Sequence, residues 1–148
     1  INPQGNDVGK VSFHKTEKAG QVGVKANVKG LPSGFHGFHI HETGACEPDF
    51  TAADGHLNPE GKNHSDHAGD MPVLLVNNDQ SGKLYFRTDR FSIDQLTEGN
   101  GTAIIVHEKP DNYTNIPERY APNGPDDTTL AVGDAGGRLA CGVVKSQS

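Results

Sequence analysis

Residues 34–46 read GFHGFHIHETGAC. From Phe38 to His41 the stretch alternates. Phe38 and Ile40 fall on one side, His39 and His41 on the other, as successive residues of a β-strand do. The apolar pair predicts a strand seated in a core. The imidazole pair, about 7 Å apart at Cα, is spaced to hold one metal ion. An HxH pair alone is a weak signal, and two exposed histidines on a polar face satisfy it equally. His36 shares the parity of Phe38, so packing or a backbone hydrogen bond is its expected role.

The same alternation recurs on both sides of this stretch. VGKVSFH (8–14) and QVGVKANVKG (21–30) precede it, the second with Val22, Val24, Ala26 and Val28 on one face. PVLLV (72–76), GKLYFRTDRF (82–91), GTAIIVHE (101–108) and RLACGVVK (138–145) follow. VNNDQSGK (76–83) reads as a hairpin turn. SIDQLTEG (92–99) allows one short helical turn, and no segment of ten or more residues keeps a helical period. Seven short strands punctuated by 19 glycines and 9 prolines predict an antiparallel sandwich or barrel.

Two long segments, about 42–72 and 108–137, do not read as strands. Long loops in compact domains are usually functional or disordered, and the first carries the chemistry of a site. DGHLNPEGKNHSDHAGD (54–70) places His56, His64, His67 and Asp70 at intervals of eight, three and three. Three imidazoles and a carboxylate form a closed four-ligand set for zinc. Five histidines lie within residues 39–67, which argues against chance. His107 ends its strand alone. A structural or surface role fits it unless its strand lies beside that of His39 and His41. His14 has no companions and is read as a surface residue.

The 148 residues fit a single domain, 1–148, large enough to bury a core. Net charge is −6, and no run of Lys or Arg appears, which argues against nucleic acid as a partner. No apolar run approaches a membrane span. The chain opens at Ile1 rather than Met, which predicts removal of an N-terminal segment. Cys46 and Cys141 are either two buried free thiols or one disulfide, the latter favoured in an exported protein.

GFHIHETGAC, GHLNPEGKNH, HAGD, VHEKPDN and GDAGGRLACGVV occur in this order over about residues 8–145. Together they resemble the copper–zinc superoxide dismutase family, and the loop spacing is similar to its bacterial branch. The resemblance implies an all-β, Greek-key, eight-stranded barrel or sandwich with two long functional loops. It implies one copper ion per chain on His39, His41, His56 and His107, and one zinc ion on His56, His64, His67 and Asp70, with His56 shared. It implies disproportionation of superoxide to dioxygen and hydrogen peroxide at a centre cycling between Cu(II) and Cu(I). Arg138 matches the family's arginine beside the copper and, with His56, is the implied catalytic group. Asp111 matches the aspartate that links a copper-ligand histidine to a zinc-ligand one. The resemblance pairs Cys46 with Cys141. It points to an extracytoplasmic, bacterial setting, either secreted, periplasmic or tethered to the cell envelope, and it allows a homodimer. Lys62, Lys109 and Arg119 are candidates for drawing an anionic substrate toward Arg138 against the negative net charge.

Overall fold

The computed structural model describes residues 1–146 apart from 116, 118 and 121. Eight strands carry the fold: β1 (Gly9–Lys15), β2 (Val22–Lys29), β3 (Gly34–His36), β4 (Phe38–His41), β5 (Leu74–Val76), β6 (Ser81–Thr88), β7 (Ala103–His107) and β8 (Arg138–Val143). All pairings are antiparallel, in the orders β1-β2-β6, β3-β5 and β4-β7-β8. β2 thus lies beside β6 rather than β3, so the connections cross between sheets. No helix among the described residues is long and apolar enough to cross a membrane.

The seven segments read from the sequence become eight strands because residues 34–41 divide at Gly37. Its N–H donates to the Lys109 carbonyl at 2.9 Å, and its carbonyl accepts from the His107 N–H at 2.8 Å. A Cβ here would stand 2.7 Å from that of Ala135. Only glycine lets the chain change partners this close to its neighbour, passing from β5 to β7.

The predicted alternation places the core. Val22, Val24, Ala26 and Val28 are buried while Lys25, Asn27 and Lys29 face solvent. They pack in one cluster with Phe38, Ile40, Leu74, Val76, Leu96, Ile104 and Val106. The full burial of Phe38 and Ile40 stabilises by roughly 1.5–3 kcal/mol each. With β4 anchored from below, the imidazoles of His39 and His41 are fixed on its other side, and they are buried as well.

β1 and β8 form no ladder with each other. Between them lies a cavity of about 750 Å3 lined by Val11, Phe13, Ile93, Leu96, Ala140 and Val144. Ile1 closes one end by exchanging backbone hydrogen bonds of 2.7 and 2.9 Å with Cys141.

Both long loops are stitched to this frame by their backbones. Leu57 N–H donates to the Ile40 carbonyl (2.8 Å), Ile40 N–H to Gly69 (2.9 Å) and Gly69 N–H to Leu57 (2.9 Å). The first loop therefore lies along β4 although its own sequence has no strand pattern. The second holds a six-residue helix, α1 (Asp127–Val132), too short for periodicity to reveal. Its ends are encoded locally: the Asp126 carboxylate accepts from Thr129 N–H, and Gly133 takes the left-handed conformation after the last turn. His64 N–H donates to the Leu130 carbonyl at 2.8 Å, joining one loop to the other. The short helical turn expected near 92–99 is a 3₁₀ turn at Asp94–Leu96.

Phe38→Ala should lower stability by about 3–5 kcal/mol, through lost burial and the cavity left behind. Urea unfolding of the metal-free protein reads this as a lower midpoint at unchanged m-value. A loss below 1 kcal/mol would mean that β4 is not seated in the core as described.

Candidate metal centre

β4 contributes His39 and His41, and β7, paired with it directly, contributes His107. That adjacency is what His107 needed in order to count. His56 reaches the same place from the first loop, held by a backbone bridge to His41, while Asp70 bridges to His39. The donor atoms of His39, His41, His56 and His107 all lie within 4.8 Å of one another. So do those of His39, His56, His64 and Asp70. The second grouping has His39 where the sequence pointed to His67. His67 adjoins it, with Nδ1 3.1 Å from His56 Nδ1 and 3.4 Å from Asp70 Oδ2. All of these side chains are buried.

Hydrogen bonds assign the ring nitrogens. His41 Nδ1 lies 2.7 Å from the Asp54 carbonyl, and His107 Nδ1 lies 3.2 Å from that of Gly136. A carbonyl oxygen only accepts, so each Nδ1 carries the hydrogen and each Nε2 a lone pair. Those two Nε2 atoms stand 3.3 Å apart. Two lone pairs at that distance repel, and a cation between them turns the repulsion into binding. Asp111 sorts two further rings. It reaches His39 Nε2 and His64 Nε2 at 2.6 Å each, which turns both Nδ1 atoms inward. His39 Nδ1 and His56 Nε2 are buried with no hydrogen-bond partner among the described residues, while His64 Nδ1 stands 3.0 Å from Asp70 Oδ1. An orphaned buried polar atom costs roughly 1–3 kcal/mol, so two in one cluster mark places for a ligand. The donor set fits copper on the all-imidazole side and zinc on the side that includes a carboxylate.

His56 belongs to both sides. Its Nδ1 lies 2.9 Å from Asp70 Oδ1, while its Nε2 is unpartnered toward the other three imidazoles. One ring therefore presents one nitrogen to each set.

The electrostatics keep the four rings of the all-imidazole set in binding form. Burial, reinforced by neighbouring imidazoles, pushes His41 down to about 2 and His107 to about 3. Burial lowers His56 to about 4 against the pull of Asp70, and it lowers His39 against Asp111. All four are neutral near pH 7, as metal ligation requires. Burial also works against His64, but hydrogen bonds to Asp111 and Asp70 outweigh it and raise this ring to about 9. Asp70 and Asp111 resist burial through their histidine partners and stay well below the ordinary carboxylate range.

Arg138, at the start of β8, donates from Nη1 to the Phe50 carbonyl (2.5 Å) and from Nη2 to that of Asp54 (2.7 Å). The Asp54 carbonyl is also the acceptor for His41. One peptide oxygen thus ties a cation to a candidate ligand. Sequence reasoning missed this role, because the Asp54 side chain takes no part in it. Its backbone does, at φ 60° and ψ −150°, a region that non-glycine residues rarely enter. Only the Asp-Gly turn signal at 54–55 hinted at it. His36 was expected to pack or bond to backbone, and its ring nitrogens lie 2.7 Å from the carbonyls of His107 and Pro32. Cys46 and Cys141 are bonded, closing a sequence separation of 95 residues and pinning the first loop to β8. Of the candidate steering cations, Lys62 is paired with Glu60 at 3.0 Å, and Arg119 sits 4.9 Å from the Tyr120 ring.

An antiparallel β-sandwich carrying buried imidazole-rich donor sets under two long loops defines a class of β-sheet metalloprotein. A profile of the Copper/zinc superoxide dismutase (SODC) family matches residues 8–144. The superoxide dismutase [Cu-Zn] of Mycolicibacterium paratuberculosis is 40% identical over 159 residues, spanning 96% of this chain and 70% of that protein. That of Escherichia coli K12 is 34% identical, spanning 95% and 80%. The crystal structure of a SOD-like protein from Bacillus subtilis superposes with a TM-score of 0.79 at 29% identity, covering 97% of this chain and 93% of that one. The chain belongs to the copper/zinc superoxide dismutase family.

Gly133 sets a sharp test of the Asp111 bridge. A Cβ there would stand 2.1 Å from Asp111 Oδ1 and 2.6 Å from His64 Nε2. Gly133→Ala should displace that pair and weaken zinc binding about 10–100-fold in chelator competition. Affinity unchanged within twofold would remove the bridge from any role in metal binding.

Acid should destabilise the metal-free protein. His39, His41, His56 and His107 have folded values below the 6.5 of a free imidazole. Their stabilisation is complete above that value and is lost as pH falls toward the folded ones. Asp70 and Asp111, also depressed, add a loss of the same sign below about pH 4. His64 alone has the opposite sign, stabilising below 6.5 and ceasing to do so as pH rises through about 9. Scanning calorimetry should therefore show Tm falling from pH 7 to 4. A Tm that rises on acidification would contradict this assignment of charge.

Proposed function

We propose that this chain disproportionates superoxide to dioxygen and hydrogen peroxide, holding copper on His39, His41, His56 and His107 and zinc on His56, His64, His67 and Asp70. One observation carries the assignment: His56 turns one nitrogen to each donor set, and the nitrogen on the all-imidazole side has no other partner. Bound there, copper supplies a one-electron couple that zinc lacks, and zinc supplies a fixed charge that orders its ligands.

The chain's own groups do the rest. Arg138 spends two donors on the carbonyls of Phe50 and Asp54, so its guanidinium is held in one orientation. Its remaining N–H groups offer a small anion charge-assisted hydrogen bonds. This local cation works against a net charge of −6 that repels superoxide on average. His56 would hold a proton at Nε2 whenever copper does not occupy that nitrogen: it would take one from water in the half-reaction that releases dioxygen and return it to the peroxide formed in the other, whose second proton comes from water. Asp70, 2.9 Å from Nδ1, keeps the ring aligned while the other nitrogen changes state. Asp111 positions His39 and His64 together, so the two sets move as one.

A single domain over residues 1–148 suits this reading. The Cys46–Cys141 disulfide favours an oxidising, extracytoplasmic compartment, whether secreted, periplasmic or envelope-tethered.

Metal analysis of the purified protein should give one copper and one zinc per chain. His41→Ala should lose copper and dismutation while retaining zinc. Arg138→Ala should keep both metals and lose roughly tenfold or more in kcat/KM. Full metallation without consumption of superoxide would overturn the reading in favour of a copper-holding protein.

A further inference from the structure

Charge is unevenly shared between the sheets. β1, β2 and β6 together hold six of the chain's thirteen Lys and Arg residues and none of its nineteen Asp and Glu. The register stacks most of these cations on one solvent face. Gly23 lies between His14 and Arg87, Lys25 between Ser12 and Tyr85, and Asn27 between Lys10 and Lys83, while Lys29 faces Ser81. These are four successive levels about 7 Å apart, each with at least one cation, in a stripe about 20 Å long. Arg87 is paired with Glu17 at 2.6 Å. Lys10, Lys25, Lys29 and Lys83 are exposed and make no ion pair among the described residues. In the middle stands Tyr85, 51% exposed, with the His14 ring stacked beside it at 6.0 Å.

We propose that this face binds a linear acidic polysaccharide, a chain of sugars carrying repeated carboxylate or sulfate groups. Four unpaired ammonium groups in a row complement regularly spaced anions along a polymer. The exposed Tyr85 ring offers a flat apolar platform to one sugar ring within that row. A lipid surface would call for apolar side chains able to enter it, and the outward positions of these strands hold none besides Tyr85. A single-stranded nucleic acid would call for several stacking platforms, and here one ring stands among lysines. None of the candidate metal ligands is involved, as β1, β2 and β6 supply none. An occupied face therefore leaves the metal centre open, and the protein can sit on an anionic matrix while its site stays exposed to a diffusing substrate.

The test is titration of the metal-loaded protein with a fluorescent oligogalacturonate of about ten sugars at low ionic strength. Binding should be measurable and should weaken steeply as salt is added. The double variant Lys25→Glu/Lys83→Glu should lose at least about tenfold in affinity. Tyr85→Ala should lose affinity by a smaller factor that does not depend on salt. Lys145→Gln, which removes a cation off this face, should bind as the parent does. Thermal melts and dismutation assays of each variant separate misfolding from lost binding. The proposal is overturned if the parent does not bind, if the folded double variant binds equally well, or if binding is tighter to anionic phospholipid vesicles or to oligo-dT than to the oligogalacturonate.

Discussion

The site depends on imidazole lone pairs being held together in one buried space against their mutual repulsion. His41 and His107 aim Nε2 atoms at each other across 3.3 Å, and two more ring nitrogens nearby, on His39 and His56, are buried without partners. Nothing local to the cluster favours this. It is imposed by Phe38 and Ile40, whose burial fixes β4, and by the ladder that sets β7 beside it. Burial then suppresses protonation of the rings, which would be the ordinary way to relieve the clash. What is left is a demand for cations, with the apolar core supplying the free energy that holds the demand in place.

The loops extend that constraint outward. The first loop is laid along β4 by backbone hydrogen bonds through Leu57 and Gly69, so His56 and Asp70 arrive at fixed registers. The second reaches in with Asp111, whose carboxylate touches one ring from β4 and one from the first loop. α1 and the Gly133 turn place that carboxylate, and there is no room for a side chain at the turn. The disulfide completes the frame. Cys141 bonds the first loop three residues from Arg138, and the two carbonyls that hold Arg138 lie in that same loop. Cation, ligand and cross-link thus share one short stretch of chain.

Much of this was legible in the sequence. Period-two alternation located the strands to within a few residues and separated Phe38 and Ile40 from His39 and His41. Clustered His and Asp marked the first loop as a site. The second loop was harder, because α1 is encoded by two caps rather than by a repeating pattern. The part played by Asp54 was invisible, since a backbone carbonyl leaves no mark in residue type. The division at Gly37 was likewise unreadable, because it depends on Ala135, nearly a hundred positions away in the chain.

The sequence by itself determined the donor chemistry, the sheet class and the family, since these follow from residue types at short spacings along one chain. The tertiary structure decided which donors meet, which nitrogen of each ring is free and how Arg138 is aimed. Those depend on contacts between residues tens of positions apart, and they exist only once the burial of an apolar core has brought β4, β7, β8 and both loops to one place.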